Sequence, residues 1–270
     1  MSLCEYCGDE CSPTREHIIP EFLYEYQKES SNGVIGWSDI AKKSIGAEQK
    51  IKDVCVKCNN GRLADLDGYA KKFLVDNGFL TQLFTRKKSH IVYDYDLLLR
   101  WLMKVSYNSS RCSNLQSHLF KPFIPYILDG CELENKNDVF LAAQVLKPVQ
   151  YSATEAIERR ESGLPISEYG EFNPFMVRIS WLAYSNFETS NFKVRANIFG
   201  AIVFYIIIFD KESLPGFRKT AVRKFIKNLS NAVEIDRTLK AIKINTSNLT
   251  FLDMYEGQIK RQLHFEPMTS

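Results

Sequence analysis

The chain has 270 residues, 45% hydrophobic, 13% aromatic and 25% charged, so it can bury a sizeable core and is not collagenous, low-complexity or globally disordered. Its longest apolar run, Ile198 to Phe209, spans twelve positions where a membrane helix needs about twenty, and its first residues lack the basic and apolar regions of a secretory leader. A cytoplasmic protein of one or two domains, with reduced thiols and no membrane contact, is expected.

The net charge of +3 is unevenly spread. Residues 1–70 hold 8 Lys and Arg against 12 Asp and Glu, whereas residues 211–243 hold nine basic against three acidic side chains, so a polyanion is expected to meet the later region first.

In chain order, the first signal is sulfur. Cysteines stand at 4, 7, 11, 55, 58, 112 and 131, an odd count that no complete disulfide set explains. Cys4/Cys7 and Cys55/Cys58 are Cys-x-x-Cys knuckles, and two such turns supply four thiolates for a closed structural zinc site. Cys11 lies close enough to substitute as a ligand, and Cys112 and Cys131 are expected to be small core residues.

Between the knuckles runs Thr14-Arg15-Glu16-His17-Ile18-Ile19-Pro20. The β-branched pair suits a strand, Pro20 ends it, and a helix follows over Glu21 to Glu29 with a loop at Ser30 to Gly36. Glu16 and His17 are adjacent, so in extended backbone they face opposite ways unless the strand breaks there. After the second knuckle, Asn59 and Asn60 offer carboxamide oxygens that suit a hard cation. Leu63, Leu66, Ala70, Phe73 and Leu74 then repeat at helical spacing, with Asp65 and Asp67 as first-turn charges.

The polar run Thr85 to Ser89 reads as a linker or phosphate-contacting loop and marks a domain boundary. Leu97, Leu98, Trp101, Leu102 and Val105 predict a buried helix, and Val139 to Leu146, Phe175 to Ser185 and Phe192 to Phe209 predict strands. Gly216 to Val233 predicts a helix with one mainly apolar and one basic face. Lys219, Arg223, Lys224 and Lys227 lie on the basic face, and Arg218 intrudes on the apolar side. His90, His118 and His264 have no metal-ligand neighbours and are expected to be structural or surface residues.

The order Cys-x-x-Cys-Gly, Glu-His-Ile-Ile-Pro, Cys-x-x-Cys-Asn resembles an HNH endonuclease of the ββα-metal type with zinc-binding knuckles, over about the first 65 residues. The resemblance implies an α+β chain: a zinc-stapled ββα-metal HNH domain over 1–85, followed by a mixed α/β domain over 86–270 for substrate positioning or a protein partner. It implies that His17 is the general base and that Glu16 and Asn59 hold one catalytic Mg²⁺ or Mn²⁺, with Asn60 a weaker ligand. The family's middle Asn, which steadies the imidazole, falls where this chain has Lys50, so a backbone carbonyl, Asp53 or Asn60 is left to orient His17.

The chemistry implied is phosphodiester hydrolysis of DNA, with RNA less favoured, in a role such as phage defence or restriction. Arg15, Lys57 and Arg62 flank the motif and are placed either to touch phosphates or to be solvated. The alternative function is a non-catalytic zinc-stabilised nucleic-acid-binding module. A zinc hydrolase or deaminase is disfavoured because no His-Glu-x-x-His, or His-x-Glu with Pro-Cys-x-x-Cys, occurs.

Overall fold

The computed structural model of the chain describes residues 2–30, 36–38, 43–45, 48–182, 192–209 and 215–254. The chain is α+β and groups into two compact units. One comprises the described residues of 1–72 and 96–134, the other those of 73–95 and 135–257. This grouping differs from a single cut after residue 85, because the chain leaves the first unit and returns to it.

The first unit opens with a small hairpin, β1 (Ser2–Leu3) and β2 (Glu10–Cys11), around the first knuckle. Next come β3 (Thr14–His17), α1 (Glu21–Ser30), the short antiparallel pair β4 (Gly36–Ser38) and β5 (Lys43–Ile45), and β6 (Lys50–Val54). β3 and β6 pair antiparallel, with Arg15 opposite Lys52 and His17 opposite Lys50, and the register shifts between Thr14 and Arg15. After the second knuckle a π-helical turn, Cys58–Leu63, runs into α2 (Ala64–Asp76), whose Leu66 and Ala70 are buried as their spacing predicts.

α3 (Tyr95–Ser113) and α4 (Ile124–Asp129) rejoin this unit. Trp101 to Asn108 of α3 are all buried, which makes an interior helix of it and keeps Trp101 in the core as expected.

In the second unit an antiparallel sheet has the order β11 (Val177–Trp181), β12 (Phe192–Phe199), β13 (Ile202–Phe209), β8 (Val139–Val145), β14 (Val233–Glu234). Every residue of β8 and β13 is buried, which is why β13 reads as an unbroken apolar run and β8 as one interrupted only by Gln144. The expected strand from Phe192 to Phe209 is a hairpin turning at Gly200, where φ is +58°. A Cβ there would lie 2.8 Å from the Phe175 ring, so only glycine fits. Alternate residues of β8, β12 and β13 pack on Val222 and Phe225 of α6 (Pro215–Lys227).

α6 stops at Lys227, short of the expected end at Val233. Its Arg218 is buried in an ion pair with Asp138, which accounts for a cation on the apolar side, while Phe217 is 70% exposed. β7 (Lys88–Val92) pairs with β15 (Ala241–Asn245), so the second half of the expected 85–89 linker is strand. β9 (Val149–Gln150) and β10 (Glu171–Phe172) flank α5 (Ala153–Glu161), which starts at a Ser152/Glu155 capping box.

The rest of the Ser30–Gly36 loop, residues 183–185 of the expected strand, and His264 lie outside the described residues. Among the described residues no helix is long and apolar enough to cross a membrane.

Candidate metal centre and active site

In the first knuckle the chain turns back at Gly8, whose N–H donates to the Cys4 carbonyl at 2.9 Å with φ at +77°. The second knuckle leads straight into the π-helical turn, with Asn59 N–H on the Cys55 carbonyl at 3.0 Å. This brings Cys4, Cys7, Cys55 and Cys58 together with their sulfurs all within 4.8 Å of one another.

Zn–S bonds of about 2.3 Å in a tetrahedron put sulfurs about 3.8 Å apart, and Cys7 Sγ lies 3.8 Å from Cys55 Sγ. That separation is far too long for a disulfide. The Cys55 N–H donates to Cys4 Sγ and the Cys58 N–H to Cys55 Sγ, both at 3.3 Å, which favours thiolates. Burial opposes ionisation of Cys4, but backbone donors at Cys55, Cys7 and Tyr6 outweigh it and bring that thiol down to about 7. Burial holds Cys7 up at about 11 and Cys58 higher still, with neighbouring sulfurs adding to the effect on Cys58. A dication would relieve that repulsion, so the donor set fits structural zinc and leaves no open position for chemistry.

Cys11 stays outside the cluster. Cys131 is exposed and Cys112 half-buried, so neither is the core residue expected.

The strand period separates Glu16 from His17. Glu16 turns inward, its side chain 5% exposed, and its Oε1 accepts from Lys104 Nζ at 2.7 Å and Asn108 Nδ2 at 3.1 Å. Lys104 is fully buried and also reaches Asp67 Oδ2 at 2.7 Å. Desolvation lowers the Lys104 ammonium's pKa, but Asp67 and Glu16 outweigh it and raise the pKa overall. Glu16 therefore does not fit the role of ligand to a catalytic Mg²⁺ or Mn²⁺, because an ammonium already stands at its carboxylate. Asp67, read in the sequence as a first-turn charge, is the second arm of this buried pair.

His17 stays on the outer side, where Nε2 lies 3.0 Å from Glu48 Oε2. Glu48 also takes Lys28 Nζ at 2.5 Å and Lys50 Nζ at 3.0 Å. The hydrogen bond from Lys28, followed by those from Lys50 and His17, holds its carboxyl well down, at about 2. Glu48 is thus the side chain that holds the His17 ring, the part expected of Asp53, Asn60 or a backbone carbonyl. It escaped the sequence reading because no motif spacing marks it. The residues named for that part are otherwise placed: Asp53 pairs with Arg111, and Asn60 is exposed.

Asn59 Nδ2 donates to Thr14 Oγ1 at 2.9 Å and to the Arg15 carbonyl at 3.1 Å, which ties the second knuckle to β3 at its register shift. Arg15 and Lys57 are exposed, as are Lys50 and Lys52. Arg62 is instead engaged by Asp129 at 3.0 Å.

The chain matches no protein-family model, no curated protein and no solved structure.

Proposed function

We propose that the chain is an HNH-type endonuclease that hydrolyses phosphodiester bonds in DNA, with His17 as general base and zinc in a purely structural part. One observation carries the reading: the outer side of the β3–β6 pair sets Arg15 against Lys52 and His17 against Lys50. Like charges directly opposed across an antiparallel pair destabilise it. A chain gains from such an arrangement when a polyanion covers it, and a phosphodiester backbone is the polyanion this motif would meet.

With Nε2–H donating to Glu48, the neutral imidazole keeps the Nδ1 lone pair for a proton from water. The water oxygen bonds to phosphorus as the bond to the sugar oxygen breaks, and the departing sugar oxygen takes a proton from a solvent water to leave as a hydroxyl. Arg15 and Lys52 offset charge on the non-bridging oxygens, Lys50 being held on Glu48, and Lys57 adds a contact further along the backbone. The Mg²⁺ or Mn²⁺ expected between Glu16 and Asn59 enters no step, since Lys104 already neutralises Glu16.

The second unit serves to position the substrate or to meet a protein partner. Supporting that part are the exposed Lys219, Arg223, Lys224 and Lys227 of α6, and a cleft of about 720 Å³ with Arg86, Lys87 and Lys147 on its wall beside Glu171 and Asp253. A role in phage defence or restriction is carried by the resemblance alone.

His17→Ala should reduce cleavage of supercoiled, linear or single-stranded DNA by about 10²- to 10⁴-fold at unchanged zinc content. Cleavage at the parental rate rejects the mechanism. The burial of Glu16 favours a second reading, a non-catalytic zinc-stabilised nucleic-acid-binding module. DNA binding by a parent protein that cuts no substrate, with Mg²⁺, Mn²⁺ or chelator, would establish that reading instead.

A further inference from the structure

α3 lies outside the zinc-knuckle motif, yet three polar side chains on one stripe of it, Lys104, Asn108 and Arg111, meet the unit that carries His17. Asn108 is fully buried. Its Oδ1 accepts from Tyr6 Oη at 2.7 Å and Arg111 Nη2 at 2.6 Å, and its Nδ2 donates to Glu16 Oε1 at 3.1 Å and to the His17 carbonyl at 3.2 Å. Two donors on one side and two acceptors on the other leave a single orientation for the amide.

Tyr6 sits between the two cysteines of the first knuckle, and Arg111 also reaches Asp53 on β6. One amide thus links the zinc knuckle to the main chain of the general base. Satisfied buried networks of this kind hold a unique arrangement, and they are costly to leave half-made.

We propose that Asn108 is a positioning residue: it fixes the backbone at His17, and through it the imidazole, relative to the zinc knuckle by way of Tyr6. The proposal rests on the reading of His17 as general base. Glu48 sets the ring from outside and Asn108 sets the strand from inside. A base displaced by a fraction of an ångström loses rate without losing substrate affinity.

The test compares zinc-loaded parent, Asn108→Ala, Asn108→Asp and Tyr6→Phe. Asn108→Asp keeps the shape but turns an oxygen toward Glu16 and the His17 carbonyl, while Tyr6→Phe removes a single hydrogen bond and spares the fold if the alanine variant does not fold. Expected are a fall in kcat of about ten- to a hundredfold with KM within about twofold of parent, a smaller fall for Tyr6→Phe, and full zinc content throughout. The ¹⁵N and ¹H resonances of the His17 ring should move in every folded variant. Parental kcat together with unmoved His17 resonances overturns the proposal. If the parent cuts nothing, the reading of function fails, but the His17 resonances still decide whether Asn108 positions the ring.

Discussion

Glu48 is held ionised by Lys28, Lys50 and His17 together, and that fixes how it should respond to pH. A carboxyl whose folded value is depressed to about 2, against an ordinary 4.5, contributes all of its stabilisation above the ordinary value and loses it as pH falls toward 2. Glu48→Gln should therefore unfold at lower urea than parent at pH 7, and the gap should close between about pH 4.5 and pH 2. Acid release of zinc is common to both proteins and cancels in the difference. A gap of constant size down to pH 3 would show that Glu48 does not carry the ion pairs assigned to it. The same variant should slow cleavage, because an amide can present either oxygen or nitrogen to Nε2 and no longer selects one tautomer.

At the scale of elements, α3 makes an internal support of Glu16, which the HNH resemblance would make a metal ligand. Removing one member of a buried ion pair strands the other, a cost of about 3–5 kcal/mol. Lys104→Met should lower stability by that order in urea titrations. Adding Glu16→Gln should recover part of the loss, since the double variant leaves one fewer uncompensated carboxylate. Additive losses in the double variant would mean that the two side chains are not coupled.

For the molecule as a whole, the four-cysteine cluster joins two knuckles separated by 47 residues that include β3, α1 and β6. Zinc held by this cluster would link folding of the first unit to metal binding. Cys55→Ser should bring bound zinc by elemental analysis well below one per chain and lower the melting temperature. Undiminished zinc would refute the four-thiolate assignment. The charge distribution also has a whole-molecule consequence. Residues 1–70 are net acidic, but many of their carboxylates are occupied, Glu16 by Lys104, Asp53 by Arg111, Asp67 by Lys104 and Glu48 by Lys28 and Lys50. Segment totals therefore understate the cationic surface of this part of the chain, where Arg15, Lys52 and Lys57 are exposed.

The clustering of Cys4, Cys7, Cys55 and Cys58, the α+β class, the helix beginning at Glu21 and the buried face of α2 could be read directly from the chain. Each follows from spacing along the backbone: two residues between thiols, a proline stop, an apolar repeat near 3.6. Glu48 as the partner of His17, Lys104 at Glu16 and Asn108 at the His17 carbonyl could not. Their partners lie 31, 88 and 91 residues away in sequence, and a lone polar residue in an apolar helix does not announce whom it will meet. The alternation of a strand already warned that Glu16 and His17 would part company. Which of them turned inward depended on where the buried ammonium of α3 came to rest, because burying Glu16 is tolerable only beside a compensating cation.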